Sequence, residues 1–396
     1  MVLAAVVASP DGTEHLPAGT ALTPAHLRLL HNWRVGEINV REDVPGKAAS
    51  PKVAPTVTPE GGIREQFSLL PLDAPIPAAL FALAMARADS QASSRSVRLS
   101  SPRRCPAGAP PSAEEILASD PVLVSLPEIF MRIREVVSDP ASTVEEATAV
   151  ISKDPSLTAK LLKLVNSAFY ARTLRLSGGL PPGRVDTLSR AVMLLGLNQL
   201  STLAMGVSVL PLFKNIPPEC VNMAQFWRHC VGVGIVTKLL AVRLRDPSPE
   251  RFFVAGLLHD IGRLVLFKHV PELTAAALSE VGRNGRRLLD VEREMLGFDH
   301  AVLGGMLLRK WRFPESLEQA VWRHHDPLAG EIPLEPGLVC VADMVAGAVL
   351  PGCSGDPLVP RFLPEVWRLV GIGPEDLGAL VETAEAHFEV ISTMFA

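Results

Sequence analysis

Hydrophobic residues recur at helical spacing from about residue 114 almost to the end of the chain. Thr143 to Glu146 fits a capping box, and Asp154 precedes a proline and a further set of apolar positions on one helical face. No run of alternating apolar residues in this half of the sequence requires a sheet. The pattern predicts an all-helical domain over residues 114–330, followed by C-terminal helices over residues 331–396 that pack on it.

The first 42 residues have a different pattern. Val2 to Ala8 fits a strand, Asp11-Gly12 fits a turn, and Glu37 to Arg41 alternates like a closing strand. Between them, Pro24 to Trp33 fits a short helix with proline at its first position. We predict a small β-rich module over residues 1–42.

Residues 43–113 are rich in Pro, Ala, Ser and Arg and show little periodicity. Such a composition buries too little apolar surface to offset the entropy lost when the chain becomes ordered. We predict a largely disordered linker here, with one transient helix near Pro77 to Ala88. The fold class is therefore mainly α, with an all-helical domain after a small β-containing module and this linker.

One apolar segment, from Ala191 to Phe213, carries no charged residue and is long enough to cross a bilayer. Polar side chains within it, such as Asn198, Gln199 and Ser201, would lie unpaired in lipid. We therefore predict a buried core helix in preference to a membrane span.

Charge and cysteine content narrow the function classes only slightly. The formal net charge of -4 gives no overall case for nucleic acid or an anionic membrane as the main partner. The 5 cysteines include no C-x-x-C pair, and no basic segment precedes the apolar residues Met1 to Ala8. We expect reduced thiols, no secretory signal and a cytoplasmic location.

The candidate chemistry centres on a His-Asp doublet at the end of an apolar run. Imidazole and carboxylate groups suit Mn, Fe or Zn, and a carboxylate can bridge two ions. In preference to a metal site, we expect no cofactor and a cluster of buried side chains that satisfy one another by hydrogen bonds without an ion. The candidate metal ligands are His229, His259, Asp260, His300, His324, His325 and Asp343.

The order of these residues resembles that of the HD superfamily of metal-dependent phosphohydrolases, and especially its cyclic-di-GMP phosphodiesterase branch, the HD-GYP proteins. A sister branch is more similar still, namely the HDOD domain, or HD-related output domain, of bacterial signalling proteins. The resemblance covers roughly residues 117 to 328, and the first 42 residues more loosely resemble accessory modules found ahead of HD-type domains. The motifs that carry it lie at residues 126–127, 151–157, 165–170, 188–196, 226–229, 256–262, 296–300 and 322–325.

The HDOD resemblance implies an all-α domain that is usually regarded as non-catalytic and serves as a regulatory output in bacterial signalling. In the active HD-GYP relatives a lysine follows the His-Asp pair, and a Gly-Tyr-Pro segment follows the later histidine pair. This chain has Arg263 at the first place and Asp326-Pro327-Leu328 at the second. Arg263 is a candidate contact for a phosphate group, although a solvated arginine just past a helix end is the commoner case.

Three functions remain open. The first is a signalling protein that works by binding a protein partner or a ligand, without catalysis. The second is a metal-dependent phosphohydrolase of nucleotides or cyclic dinucleotides, with Asp260 bridging and His229, His259 and His300 as terminal ligands. The third is a nucleotide-binding sensor that keeps a pocket but no chemistry.

Overall fold

The computed structural model divides the chain into two compact units, residues 1–57 and 58–396. It describes residues 59–88, 109–119, 127–139, 141–167, 184–213, 216–218, 220–329 and 334–395, with isolated positions among the first 41. The larger unit contains every candidate metal ligand.

The first unit contains short antiparallel strand pairs. Strand β1 (Val2–Leu3) pairs with β4 (Val40–Arg41), and β2 (Val7–Ala8) pairs with β3 (His15–Leu16). The two described ends of the strand predicted from residue 2 to residue 8 pair with different strands, and residues 4–6 lie outside the described residues. The predicted turn at residues 11–12 lies outside the described residues, as does the predicted helix at 24–33 apart from His26, which is helical.

The second unit begins with two helices, α1 (Pro59–Gln66) and α2 (Pro75–Met85), in a region predicted as linker. That prediction is wrong for residues 59–88, because Phe67, Leu80 and Ala84 are fully buried. The backbone N–H of Val359 also donates to the carbonyl oxygen of Gln66 at 2.9 Å. Helix α2 covers most of the helix predicted near Pro77 to Ala88, but it is a packed element and not a transient one. Of the rest of the predicted linker, residues 109–112 form no helix or strand and Ala113 begins the next helix, while residues 43–58 and 89–108 lie outside the described residues.

The remaining described helices cover the second unit almost to its end. They are α3 (Ala113–Ser119), α4 (Glu128–Ser138), α5 (Val144–Ile151), α6 (Pro155–Val165), α7 (Leu188–Leu195), α8 (Leu197–Ser208), α9 (Met223–Arg243), α10 (Glu250–Leu258), α11 (Ile261–His269), α12 (Pro271–Asn284), α13 (Leu288–Leu296), α14 (His300–Lys310), α15 (Glu315–Trp322), α16 (Leu334–Val349), α17 (Pro364–Val370) and α18 (Leu377–Ser392). Short 3-10 turns lie at Leu210–Phe213, Pro327–Ala329 and Pro374–Asp376.

Helix starts follow the capping chemistry of the sequence. The predicted capping box at Thr143 and Glu146 is confirmed, and the Asp154 side chain accepts from the backbone N–H of Leu157 at 2.9 Å. Helix α9 lies at the centre and packs against α10, α16 and α18. Because α9 and α16 carry candidate ligands and α10 ends just before His259, this packing brings separate parts of the sequence together.

The apolar segment from residue 191 to 213 is not one helix. It divides at Gly196, which has a φ of 85°, into parts of α7 and α8. In the described parts of the chain no single helix is long and apolar enough to cross a membrane; Leu188–Leu195 and Leu197–Phe213 pass that test only as a pair bent by 118°.

Candidate metal centre

Three separate helices bring together the first group of candidate ligands. His229 lies within α9, Asp343 lies within α16, and His259 and Asp260 form the break between α10 and α11. All four side chains are buried. They approach one another because α9 packs on both α10 and α16.

The donor atoms of this first group, His229, His259, Asp260 and Asp343, approach one another at 3.1–3.9 Å, close to the spacing that one ion requires. His229 Nε2 lies 3.1 Å from Asp343 Oδ1 and 3.9 Å from Asp260 Oδ2. His259 Nε2 lies 3.3 Å from Asp260 Oδ2 and 3.7 Å from Asp343 Oδ1. Ligand atoms about 2.0–2.2 Å from a shared ion lie roughly 3–3.6 Å from one another. We call these four residues the first cluster.

The backbone fixes the orientation of His259. Its Nδ1 lies 2.8 Å from the carbonyl oxygen of Gly256, which has no proton to give, so Nδ1 is the donor. The other ring nitrogen, Nε2, is buried and has no hydrogen-bond partner within the described structure. A ring nitrogen held toward two carboxylates, with the other ring nitrogen fixed by a backbone carbonyl, is the arrangement expected of a metal ligand.

A second group of candidate ligands lies on the other side of Asp260. His300 begins α14, and His324 and His325 follow α15. His300 Nε2 lies 3.2 Å from Asp260 Oδ1 and 2.8 Å from His325 Nε2, and His324 Nε2 lies 4.0 Å from Asp260 Oδ1. We call Asp260 and these three histidines the second cluster.

Glu292 lies beside the second cluster, and it was not among the site residues predicted from the sequence. Its Oε2 accepts from His300 Nδ1 at 2.5 Å and from the His300 backbone N–H at 3.0 Å. Glu292 is 2% exposed on helix α13, where it lies among the apolar positions Leu288 and Val291. A carboxylate within an apolar helical stripe is a signal that could have revealed it.

Arg263 is buried, in contrast to the solvated position that its sequence context favoured. It is 4% exposed, and its Nε lies 3.2 Å from Asp260 Oδ1. One terminal nitrogen donates to Ser354 Oγ at 2.8 Å, and the other lies 3.3 Å from His300 Nε2. The guanidinium therefore contacts two donor atoms of the second cluster, Asp260 Oδ1 and His300 Nε2.

Gly262 explains why Arg263 reaches this position. Gly262 lies inside α11, and the break between α10 and α11 falls at His259 and Asp260. A Cβ at Gly262 would lie 2.0 Å from the carbonyl oxygen of His300. Only glycine therefore lets α11 approach the start of α14 this closely.

Burial and neighbouring charges act in opposite directions on the pKa values of the two carboxylates in the first cluster. Burial raises the pKa of Asp260, but the charges of Arg263 and His259 outweigh this and hold it well below its usual range. Burial likewise raises the pKa of Asp343, which the hydrogen bond from His229 then lowers. Both carboxylates are therefore ionised at neutral pH, as metal ligands must be.

The pKa is lowered for two of the candidate histidines and raised for two others. Burial lowers the pKa of His324 to about 4, and burial with the charges of His324 and His300 holds the pKa of His325 well below its usual range. Burial and Arg263 also oppose protonation of His300, but Glu292 and Asp260 raise its pKa to about 9. Burial opposes protonation of His259 too, although Asp260 raises its pKa.

A cavity of about 110 Å³ adjoins both clusters. His229 and Asp343 of the first cluster and His325 of the second are among its lining residues, together with Arg263 and Arg287. Arg287 is half-buried, and its Nε has no hydrogen-bond partner in the part of the chain that the structure describes. Three of the candidate ligands, His229, His325 and Asp343, therefore face this cavity, and a cationic side chain lies on the same wall.

The profile of the HDOD domain family matches residues 123–327, just over half of the chain. The chain belongs to the HDOD family. The match ends before Asp343, so the HDOD region proper supplies every candidate ligand except that one. The all-helical architecture predicted for this region is confirmed.

Solved structures and a curated relative agree with this assignment. The HDOD protein is similar to a proposed phosphohydrolase from Shewanella amazonensis SB2B, with 27% identity, a TM-score of 0.56, and coverage of 72% of this chain and 98% of that one. An HDOD domain protein of unknown function from Geobacter sulfurreducens shares the fold, with 23% identity, a TM-score of 0.56, and coverage of 72% and 95%. An uncharacterized protein of Treponema pallidum (strain Nichols) is 26% identical over 274 residues, which are 68% of this chain. The chain spans 50% of that relative's length.

The HD superfamily implies a divalent metal, and the first cluster of this HDOD protein fits one. Two imidazoles and two ionised carboxylates form a donor set suited to Mn, Fe or Zn. Among the residues that the structure describes, the buried Nε2 of His259 accepts and donates no hydrogen bond, which supports this fit because a buried polar atom normally finds a partner. When bound, such an ion would withdraw electron density from a phosphate oxygen beside it.

Proposed function

We propose that this protein is a signalling protein whose HDOD domain binds one divalent metal ion and acts through binding, without catalysis. The observation that carries the proposal is the convergence of His229, His259, Asp260 and Asp343, with distances of 3.1–3.9 Å between their donor atoms. In this proposal the ion belongs to a regulatory site that opens to the adjoining cavity.

The state of Asp260 favours binding over two-metal hydrolysis. A bridging carboxylate needs one oxygen for each ion. Oδ2 of Asp260 faces His229 and His259, but Oδ1 is already paired with the Arg263 guanidinium at 3.2 Å. The sequence also lacks the Gly-Tyr-Pro segment after the later histidine pair.

The metal content of the purified protein tests the proposal. We expect one ion per chain after incubation with Mn²⁺ or Fe²⁺ and gel filtration, measured by inductively coupled plasma mass spectrometry. Asp343→Ala should lose the ion, because it removes one of the four donors. Asp290→Ala is the matched control, since Asp290 lines the same cavity without joining the first cluster, and it should retain the ion. A metal content near zero in the unsubstituted protein would refute the proposal.

A second candidate function is a phosphohydrolase of nucleotides or cyclic dinucleotides that uses a single ion. It is favoured by the cavity, which brings Arg287 and the first cluster to one surface. Arginine is well suited to bind phosphate oxygens. Product formation from cyclic di-GMP or a nitrophenyl phosphodiester, abolished by Asp260→Ala, would establish this candidate. Stable binding of the same compounds without product would support the proposed binding role.

A further inference from the structure

We infer that the Arg263 guanidinium occupies a second, latent metal site formed by the second cluster, and that it thereby limits the protein to one ion. The inference rests on the proposed function, because it assumes that an ion occupies the first cluster. It assigns Arg263 a positioning role as a built-in cation, and it predicts that removing this side chain converts a one-ion protein into a two-ion protein.

The donor atoms of the second cluster support a metal site. His300, His324 and His325 each offer one ring nitrogen, and these three atoms lie within 4.8 Å of one another. Asp260 contributes Oδ1, the oxygen that the first cluster does not use. Three imidazoles and one carboxylate form a donor set as suitable for Mn, Fe or Zn as that of the first cluster.

Neighbouring groups orient two of these imidazoles toward one place. Glu292 accepts from Nδ1 of His300, which directs Nε2 toward Asp260. Nδ1 of His324 lies 2.7 Å from the carbonyl oxygen of Val321, so His324 donates there, and its Nε2 is buried without a hydrogen-bond partner in the described structure. Such outer contacts fix metal-ligating histidines in known sites.

Arg263 lies among these same atoms. Its Nε lies 3.2 Å from Asp260 Oδ1, and one of its terminal nitrogens lies 3.3 Å from His300 Nε2. The hydrogen bond to Ser354 and the close approach at Gly262 hold the guanidinium there. A buried carboxylate needs a compensating positive charge, and Arg263 supplies the charge that a second ion would otherwise bring.

Metal stoichiometry tests the inference without any measurement of activity. Unsubstituted protein should bind one Mn²⁺ per chain even at millimolar Mn²⁺, and Arg263→Ala should bind two. The electron paramagnetic resonance spectrum should change from that of isolated Mn²⁺ to that of a spin-coupled pair, since both ions would share Asp260. Arg287→Ala is the matched control: it removes an arginine from the same cavity but not from Asp260, and it should remain at one ion.

A further substitution identifies the site that opens. Arg263→Ala combined with His300→Ala should return the stoichiometry to one, because the second cluster then lacks a ligand. If Arg263→Ala does not fold, Arg263→Gln and Arg263→Met keep most of the side-chain volume without the charge. Circular dichroism and gel filtration establish folding before metal is measured.

Each outcome separates this inference from the proposed function. No ion in the unsubstituted protein refutes the proposed function. One ion in both the unsubstituted protein and a folded Arg263 variant overturns the inference and leaves the proposed function standing. Two ions in the unsubstituted protein also overturn the inference, because Arg263 would then exclude nothing; this measurement needs no variant.

Discussion

Gly262→Ala tests whether the close approach of α11 to α14 shapes the site. A Cβ at residue 262 would lie 2.0 Å from the His300 carbonyl oxygen and 2.8 Å from the Gly304 backbone nitrogen. An ordinary contact needs at least 3.4 Å, so the helices would have to separate by about 1.4 Å. Because the obstructing atoms are backbone, no side-chain rotation can relieve the collision.

The expected loss of stability follows from this collision. Overpacking costs about 1–3 kcal/mol, and the absence of a flexible neighbour places this case near 3 kcal/mol. The alanine recovers about 1 kcal/mol of helix propensity, which leaves a net loss of about 2 kcal/mol. For a protein of this size, with an unfolding entropy of about 2.1 cal/mol/K per residue, the apparent Tm should fall by roughly 2–3 °C. Urea and thermal denaturation followed by circular dichroism measure both quantities.

Gly378→Ala is the matched control. Gly378 is the second residue of α18 as Gly262 is of α11, but a Cβ there meets nothing within 4 Å. We expect it to stabilise the protein by about 0.5–1 kcal/mol. The reasoning is refuted if Gly262→Ala is as stable as the unsubstituted protein, or if both substitutions shift the Tm in the same direction.

Three further predictions concern buried charges and metal. The buried pair of Lys238 Nζ and Glu250 Oε1, 2.9 Å apart, links α9 to α10. Lys238→Met should lower the free energy of unfolding by about 3–5 kcal/mol, because it leaves the Glu250 carboxylate buried without its countercharge. The double variant with Glu250→Leu should recover most of that loss. A double-mutant cycle in urea measures this, and additive losses would contradict it. Glu292→Gln should leave the ion of the first cluster bound, because Glu292 contacts only His300 among the ligands. Loss of that ion, measured by mass spectrometry, would count against this separation of the clusters. Mn²⁺ at about 100 times its Kd should stabilise the protein by about 2.7 kcal/mol; thermal scans should show no such gain for Asp343→Ala, and an equal gain in that variant would contradict the ligand assignment.

The helical region and its candidate ligands were predictable because their signals are local. Capping residues such as Thr143 and the apolar spacing mark helices, and the order of histidines and acidic residues resembles a known family. The structure then brings all seven candidates together around Asp260. What the sequence could not give is the division into two clusters, because only packing decides which oxygen of Asp260 each histidine approaches.

Arg263 shows why the remainder was missed. The same Ile-Gly-Arg sequence fits a solvated arginine after a helix or a buried one inside the next helix, and the choice depends on where the break falls. That break, at His259 and Asp260, depends on contacts with distant helices. Helix α1 and the stable packing of α2 were missed for a related reason, since the apolar surface that makes their order favourable belongs to other parts of the chain.

The contacts of α1 and the segment after α2 with the C-terminal region determine which fragments of this protein are useful. Val359 bonds to Gln66, and Arg87 pairs with Glu385 at 2.5 Å, so segments on either side of the family match meet each other. A fragment trimmed to residues 123–327 would lose both contacts and also Asp343. Expression clones for biochemistry should therefore retain residues 58–396. If a shorter fragment binds no metal, the truncation itself explains the loss, and the result says nothing about the intact protein.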